Sequence, residues 1–348
     1  MKDEKSLSRR QFLKGAGAMS LLGVVGACGG SVLEELDPCD RDLIDGGARQ
    51  IFCPQGVMET AEGLQAVVGA DHICVTEGGV ERCFPEIMRF GYGTDLHYAE
   101  RASDNPAYPY GKQKLRDAIE HWNGADLDFV VMGGDYLDPD LGRDRQESLA
   151  DLEEIEAVFD ELDVPRHYVM GNHDLDCISK ADFVAHSAMD ELYYSFDSKG
   201  VHFVVLDANY EEPSDAAHYD SGKFHHHDIW INPSQLAWLR RDLQQNELPT
   251  VLFCHQRLAM ESGGSVNNAA DVRAILESSD QPLVAFTAHD HRNANLVVEG
   301  IHYVAMDAMV SNDPDRNAYA VVHVYEGNYI FVEGFGGQAS YVRSIERG

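Results

Sequence analysis

Positive charge is scarce in this sequence of 348 residues. The chain has 27 Lys and Arg against 59 Asp and Glu, so its formal net charge is −32. No basic stripe follows the spacing of a phosphate backbone, and a surface this acidic repels polyanions. Composition therefore argues against nucleic acid as a partner.

Long apolar runs are missing as well. The apolar stretch at residues 15–27 has about 13 residues, fewer than a permanent membrane span needs. It follows a twin-arginine pattern, Ser-Arg-Arg-Gln-Phe-Leu-Lys, at residues 8–14. A basic amphipathic helix is the alternative, but the apolar part is continuous rather than periodic. We therefore expect residues 1–27 to be a twin-arginine export signal, and the protein to be exported to the periplasm or the cell envelope.

Cys28 ends this segment in Val-Gly-Ala-Cys, which resembles a lipoprotein processing box. Cys28 is therefore a candidate lipid anchor to the membrane, while cleavage without lipidation fits the pattern equally well.

Six further cysteines can pair in an oxidising compartment. They are Cys39, Cys53, Cys74, Cys83, Cys177 and Cys254. Gly78-Gly79 is a hairpin turn signal, and counting outward from it places Cys74 opposite Cys83 at a non-hydrogen-bonded pair. We predict a disulfide between these two residues. Cys39 with Cys53 then follows by elimination, and Cys177 and Cys254 are expected to be free thiols in core motifs.

From residue 87 onward, strand and helix patterns alternate. Apolar strands at 87–92, 129–132 and 166–170 are separated by amphipathic helices, a βαβ pattern that predicts parallel pairing. Later strands at 201–207 and 251–254 precede five closely spaced strands between 283 and 333, so the second half is expected to supply a mostly antiparallel sheet. The predicted fold class is α/β (α+β), a four-layer αββα sandwich of two mixed sheets.

Polar side chains follow five of these strands, at the edge where open α/β sheets place their sites. The residues are Asp95, His97, Asp135, Asn172, His173, His255, His289 and His291. For any one of them a structural role is a strong alternative, since an Asp after a strand is often only a helix N-cap. The ordered set of motifs favours a site.

This set of oxygen and nitrogen ligands without thiolate suits Mn, Fe or Zn better than Ca. Asp-x-His and His-x-His direct both side chains of a pair to one face when the backbone is extended. Because the potential ligands exceed what one ion needs, we predict a two-metal site about 3.5 to 4 Å across, with one bridging carboxylate.

The motifs in their order look like the signature of the calcineurin-like metallophosphoesterases. They are Asp95-Leu96-His97, Gly134-Asp135-Tyr136-Leu137-Asp138, Gly171-Asn172-His173-Asp174, His255 and His289-Asp290-His291. The resemblance covers residues 87 to 348, which we expect to be a catalytic domain of the metallo-dependent phosphatase-like fold. Residues 28–86 are then an N-terminal extension that contains disulfides.

The resemblance also implies roles for these residues. One ion would be held by Asp95, His97, Asp135 and His291. The other would be held by Asp135, Asn172, His255 and His289. Asp135 is then the bridge, and His173 is a catalytic non-ligand near the scissile bond, with Asp138 or Asp174 as its orienting partner. A metal-bridging hydroxide would attack phosphorus in line.

Two positions depart from the family pattern. Ala288 stands where a Gly usually precedes the first His of the last motif, and strain of about 1 kcal/mol is expected there if the backbone needs a positive φ. Arg257 after His255 either clamps a phosphate or faces solvent.

Residues 164–173, 203–210 and 234–239 are similar to ADP-ribose/CDP-alcohol diphosphatases. The resemblance implies a small-molecule phosphoester or nucleotide-diphosphate substrate. Tyr98 and an insert at 211–231 would border its pocket, although the His225-His226-His227 run in that insert also fits a surface loop. Two alternatives stay open: a broad-specificity phosphomonoesterase or phosphodiesterase that scavenges phosphate, and a metal-dependent envelope binding protein that has lost turnover.

Overall fold

The computed structural model describes residues 57–59, 65–100, 107–138, 143–211, 213–215, 229–259, 264–281 and 283–346. The predictions on the export signal, on Cys28 and on the Cys39–Cys53 pair lie outside the described residues, as does the His225-His226-His227 run.

The strands form two sheets of nine and six members. The first sheet contains β1 (Val57–Glu59), β2 (Gln65–Val68), β3 (His72–Glu77), β4 (Val80–Gly93), β5 (Phe129–Met132), β6 (Arg166–Tyr168), β13 (Ala318–Tyr325), β14 (Tyr329–Gly336) and β15 (Tyr341–Ser344). The second contains β7 (Tyr194–Ser198), β8 (Val201–Leu206), β9 (Thr250–Cys254), β10 (Leu283–Thr287), β11 (Ala294–Val298) and β12 (Ile301–Ala305).

β4 is the longest strand of the first sheet and has different partners along its length. Its first half pairs antiparallel with β3, and its second half lies between β13, antiparallel, and β5, parallel. The hairpin at Gly78-Gly79 has the predicted register, with Cys74 opposite Cys83, and the disulfide between them is confirmed. The expected boundary between residues 86 and 87 falls inside β4, so the two expected parts of the chain share one strand.

The second sheet corrects the prediction that the second half is mostly antiparallel. In it β8, β9, β10 and β12 are neighbours and run parallel, and only the edge strands β7 and β11 are antiparallel to their neighbours. The prediction failed because short connections suggested simple hairpins. β12 follows β11 closely, yet β11 takes the outer edge and β12 lies beside β10. The antiparallel strands β13, β14 and β15 belong to the first sheet instead.

In the described part of the chain, five α-helices flank the sheets: α1 (Gly111–Asn123), α2 (Arg145–Phe159), α3 (Lys180–His186), α4 (Pro233–Gln245) and α5 (Ala269–Glu277). Their starts follow from local chemistry, since Asp144 and Ser179 form capping boxes and Asn232 caps α4 just before a proline at its first position. Among the described helices, none has the length and apolar character that crossing a bilayer requires.

Three apolar layers hold the fold together. Phe90, Phe129 and Phe203 meet between the two sheets. On the outer face of the first sheet, residues such as Val130 pack against α1, α2 and α3, and on the outer face of the second sheet residues such as Leu252 pack against α4 and α5. Strand residues alternate between the middle layer and an outer one, as period two requires. This is the predicted four-layer αββα sandwich.

Candidate metal centre

The seven predicted metal ligands meet at the carboxyl ends of strands from both sheets. The first sheet supplies Asp95 and His97 after β4, Asp135 after β5 and Asn172 after β6. The second supplies His255 after β9, and His289 and His291 after β10. Asp95, Asp135, Asn172 and His255 are at most 1% exposed, whereas the side chain of His291 is 42% exposed. The centre is thus buried on one side and open at His291.

A first group of ligand atoms surrounds His97. Its Nε2 lies 3.0 Å from Nε2 of His291, 3.8 Å from Oδ1 of Asp95 and 3.7 Å from Oδ2 of Asp135. Oδ1 of Asp95 is 3.3 Å from Nε2 of His291. These separations suit atoms that share one cation.

A second group lies on the other side of Asp135. Nε2 of His255 is 3.0 Å from Oδ2 of Asp135, and one ligand atom each from Asp135, His255 and His289 lie within 4.8 Å of one another. Asn172 is buried between Gly171, which contacts Asp135, and His173, whose backbone N–H donates to Oδ1 of Asp135 at 2.8 Å. Asp135 therefore belongs to both groups, as a bridging carboxylate must.

Buried polar atoms without partners show that the residues fit metal ions. Oδ1 of Asp95, Nε2 of His255 and Nδ1 of His289 are buried and form no hydrogen bond of good geometry within the described part of the chain. The first two lie only at ion-pair distance from other members of the same ligand set, 3.3 Å from Nε2 of His291 and 3.0 Å from Oδ2 of Asp135. Leaving such atoms unsatisfied costs about 1 to 3 kcal/mol each. Because these atoms are also the preferred ligand types of Mn, Fe or Zn, cations would satisfy them together.

The backbone at the ligands is left-handed rather than extended, which corrects the assumption made for the Asp-x-His and His-x-His motifs. Five of the seven predicted ligands have a positive φ: Asp95 (51°), His97 (49°), Asp135 (48°), His289 (72°) and His291 (55°). Backbone bonds from Asp95 N to Gly134 O (2.9 Å) and from His97 N to Asp135 O (3.0 Å) hold two of these turns together. Each such conformation costs about 1 to 2 kcal/mol, a strain typical of functional sites.

Ala288 and Arg257 also differ from expectation. Ala288 is absent from the described non-glycine residues with positive φ, so the expected strain does not arise there; its N–H donates to the carbonyl of His255 at 2.8 Å. Arg257 is buried and forms a salt bridge with Asp290, the residue between the two histidines of the last motif. It therefore supports that loop and does not face solvent, so one of its two expected roles is wrong, and the phosphate clamp stays an expectation.

Two carboxylates orient the histidines. Oδ2 of Asp138 accepts from Nδ1 of His97 at 2.9 Å, and Oδ2 of Asp176 accepts from Nδ1 of His173 at 2.9 Å. Asp138 lies 3.7 Å from the same nitrogen of His173. Asp176 was not predicted, although a helical turn after His173 would have placed the residue three positions on beside it.

Asp174 is not the partner of His173. Its Oδ1 accepts from the backbone N–H groups of Tyr136 and Leu137, and its Oδ2 accepts from that of Gly171. Asp174 therefore ties the loop after β5 to the loop after β6, and burial together with the Asp135 charge raises its pKa to about 6.

The pKa values of the site residues indicate that protons and cations compete for the ligating side chains. Burial disfavours a charged His173, yet the Asp135 charge and the Asp176 hydrogen bond outweigh it and raise the pKa of His173 to about 9. Burial likewise opposes the charge on Asp135, but neighbouring His255 and His173 hold the pKa of that carboxyl well below its usual range. Cations would replace the protons on the ligating histidines, so their binding releases protons and weakens at low pH.

Comparison with known proteins agrees with this geometry. Residues 88–293, more than half of the chain, match the family described as calcineurin-like phosphoesterase. The chain belongs to that family. It is accordingly a metal-dependent phosphoester hydrolase with the metallo-dependent phosphatase fold.

Curated relatives are similar to this chain over most of their length. The chain is 24% identical to the manganese-dependent ADP-ribose/CDP-alcohol diphosphatase of Bos taurus, covering 72% of this chain and 92% of the relative. It is 23% identical to the enzyme of the same name from Oryza sativa subsp. japonica, covering 75% and 95%.

A solved structure has the same fold. The crystal structure of a dimetal phosphatase from Danio rerio matches with a TM-score of 0.63 at 18% identity, covering 76% of this chain and all of that one.

Proposed function

We propose that this protein holds two divalent cations, manganese first among them, and hydrolyses the phosphoanhydride bond of small nucleotide-type diphosphates. The observation that carries the proposal is the division of the ligands into two groups that share Asp135. The relatives named manganese-dependent ADP-ribose/CDP-alcohol diphosphatase support both the metal and the substrate class.

Asp95, His97, Asp135 and His291 would hold one ion, and Asp135, Asn172, His255 and His289 the other. When bound, two such ions supply Lewis acidity toward a phosphoryl group and lower the pKa of a water molecule. Buried Asp138 holds the His97 ring in place, which fixes the nitrogen that it presents to the cation.

His173 holds the proton for the leaving group. Its side chain is 27% exposed, more than the buried ligands, so a substrate can reach it. With Nδ1 engaged by Asp176, proton transfer to the departing phosphate oxygen would go through Nε2. Oδ1 of Asp135 accepts from the backbone N–H of His173, and this bond keeps the ring beside the centre.

The test compares the full-length chain with Asp135→Asn. Bound metals are quantified, and the hydrolysis of ADP-ribose, CDP-choline, nitrophenyl phosphate and bis-nitrophenyl phosphate is measured. We expect about two ions per wild-type chain and a preference for the two diphosphates. Asp135→Asn should lose at least about 100-fold in kcat/KM, because the shared carboxylate touches both cations.

The outcomes separate the candidates. Equal, slow hydrolysis by both proteins would reduce the protein to a metal-dependent binding protein. Faster hydrolysis of the nitrophenyl esters than of the diphosphates would favour the broad-specificity phosphatase.

The proposal includes export to the periplasm or cell envelope, with Cys28 as a lipid anchor. It rests on the twin-arginine pattern and the Val-Gly-Ala-Cys sequence. Cell fractionation checks it: Arg9→Lys with Arg10→Lys should keep the protein in the cytoplasm, and Cys28→Ser should move it from the membrane fraction to the soluble one. Unchanged fractions in both variants would contradict export and anchoring.

A further inference from the structure

A buried line of polar side chains leads from α3 to the second group of ligands. The line consists of Lys180, Asp207, Asn209, Gln256 and Asn172, and we call it the amide relay. All but Lys180 are fully buried, and Lys180 is 6% exposed. Only Asn172 is a ligand in the proposed centre. The other four come from α3 and from the loops after β8 and β9, and they call for a separate explanation because buried polar groups are costly.

The hydrogen bonds at Asp207 fix which way the amide group of Asn209 points. Nζ of Lys180 lies 2.5 Å from its Oδ2, and the side-chain amide nitrogen of Asn209 donates to its Oδ1 at 3.0 Å. The same nitrogen donates to the carbonyl of Met170 at 2.9 Å. Because a carboxylate and a carbonyl only accept, Asn209 must keep its nitrogen on this side and its Oδ1 on the other.

The orientation of Asn209 in turn fixes the orientation of the Gln256 amide group. Its Nε2 donates to Oδ1 of Asn209 at 2.8 Å and lies 3.4 Å from Oδ1 of Asn172, in position to donate its second hydrogen. An amide nitrogen has two hydrogens, so both are used. Asn172 must therefore turn its oxygen toward Gln256, and this oxygen has a second lone pair that a cation can take.

We infer that the amide relay fixes the side-chain oxygen of Asn172 as a ligand of the second cation, with Gln256 as the positioning residue. This inference rests on the proposed two-ion centre. It explains why a glutamine follows the ligand His255. It also explains why the loop after β8, which supplies no ligand, buries Asp207 and Asn209 beside the centre.

Gln256→Glu reverses the relay at its last step with almost no change of shape. A glutamate at this position offers only acceptors to two amide oxygens, so Asn172 is driven to present its nitrogen in place of its oxygen, and an amide nitrogen does not bind the cation. Gln256→Met removes the donor without adding charge. Residues that orient metal ligands typically change affinity 10- to 100-fold.

The experiment titrates the metal-free, full-length protein with Mn²⁺ and follows bound and free ion. For both variants we expect one of the two binding steps to lose about 10- to 100-fold in affinity, while the other shifts less than about threefold. The Mn²⁺ concentration for half-maximal activity should rise by the same factor, and excess Mn²⁺ should restore the rate. A folding defect would not be rescued in this way.

Gln281→Glu is the matched control. Gln281 is also buried, and its Nε2 donates to the carbonyls of Leu243 and Asn246, away from the centre. It should lower the thermal unfolding midpoint without changing Mn²⁺ affinity. If wild type binds two ions and both Gln256 variants bind them equally well, the inference is overturned and the two-ion proposal stands. If wild type binds only one ion, both the inference and the two-ion proposal are wrong.

Discussion

Gly171 shows how close the backbone comes to the bridging carboxylate. A Cβ atom at this position would lie 2.0 Å from the backbone nitrogen of Asp135 and 2.3 Å from its Oδ1. Real Cβ atoms do not approach backbone atoms so closely, so the loops after β5 and β6 would have to separate. The glycine in the Gly-Asn-His motif is therefore required by steric contact.

We predict that Gly171→Ala loses at least about 100-fold in kcat/KM and about 3 kcal/mol in unfolding free energy, because overpacking at a fixed backbone displaces Asp135. Steady-state kinetics and urea unfolding check both values. Gly124→Ala is the control, since a Cβ there meets only carbonyl oxygens at 3.4 Å and 3.7 Å, an ordinary contact. Wild-type kinetics in Gly171→Ala would contradict the geometry of the motif.

Residue types and their order along the chain were enough to predict which side chains come together at the candidate centre, but not how they are supported. The ligands recur after strand ends, and the topology brings strand ends together. Asp176 and Gln256 escaped prediction because their roles depend on a short helical turn and on contacts between loops far apart in sequence. The left-handed backbone at Asp95 also could not be predicted from the sequence, because the residue that usually indicates this conformation is glycine.

At the scale of elements, His202 joins β7, β8 and α4. Its Nδ1 lies 2.6 Å from Asp197, its cross-strand partner, and its Nε2 lies 2.8 Å from Asp242 on the helix. Burial disfavours the charged ring, but the hydrogen bonds that the ring makes to the carboxylates of Asp242 and Asp197 outweigh this effect and raise the pKa of His202. The folded protein therefore binds this proton more tightly than the unfolded chain does.

This linkage predicts a pH-dependent stability. Because the pKa is raised on folding, the stabilisation is complete below the unfolded value of about 6.5 and is lost as pH rises through the folded value. We expect His202→Gln to lose about 1 to 3 kcal/mol at pH 6 and less at pH 9, measured by urea unfolding. His186→Gln, at an exposed pair with Glu153, should change little at either pH. A loss that grows with pH would refute the assignment.

Element order was predictable, but strand direction in the second sheet was not. The apolar runs located β5, β8, β9 and β10 well, because each is buried on both faces and is mostly apolar. Only the buried end of β4 was predicted, at residues 87–92. β11 could have paired directly with β10, but it lies at the outer edge of the sheet instead, and β12 lies between the two strands. That choice is made by packing between sheets, and a local pattern does not encode it.

At the scale of the whole molecule, the centre joins the two sheets. The first sheet supplies Asp95, His97, Asp135 and Asn172, and the second supplies His255, His289 and His291. The apolar middle layer around Phe90 also connects the two sheets. Cations bound by side chains from both sheets therefore act as a cross-link that the unfolded chain lacks. The formal charge of −32 adds to this effect, because it favours cations and disfavours the compact state without them.

We predict from this arrangement that Mn²⁺ raises the thermal unfolding midpoint. A ligand present at 100 times its dissociation constant stabilises the folded state by about 2.7 kcal/mol, which for a chain of this size is about 3 to 5 °C per ion. Differential scanning calorimetry with a chelator and with Mn²⁺ measures the shift. Asp135→Asn should lose most of it, since both cations lose their shared ligand.

Ca²⁺ at the same concentration separates specific binding from screening. It neutralises surface charge as Mn²⁺ does, but it prefers oxygen-only sites and does not suit a histidine-rich centre. If the charge of the chain alone set the response, both ions would raise the midpoint equally in wild type and in Asp135→Asn. A centre that cross-links the sheets instead gives a larger shift with Mn²⁺ in wild type and nearly equal shifts in the variant, because only the specific part of the stabilisation depends on Asp135.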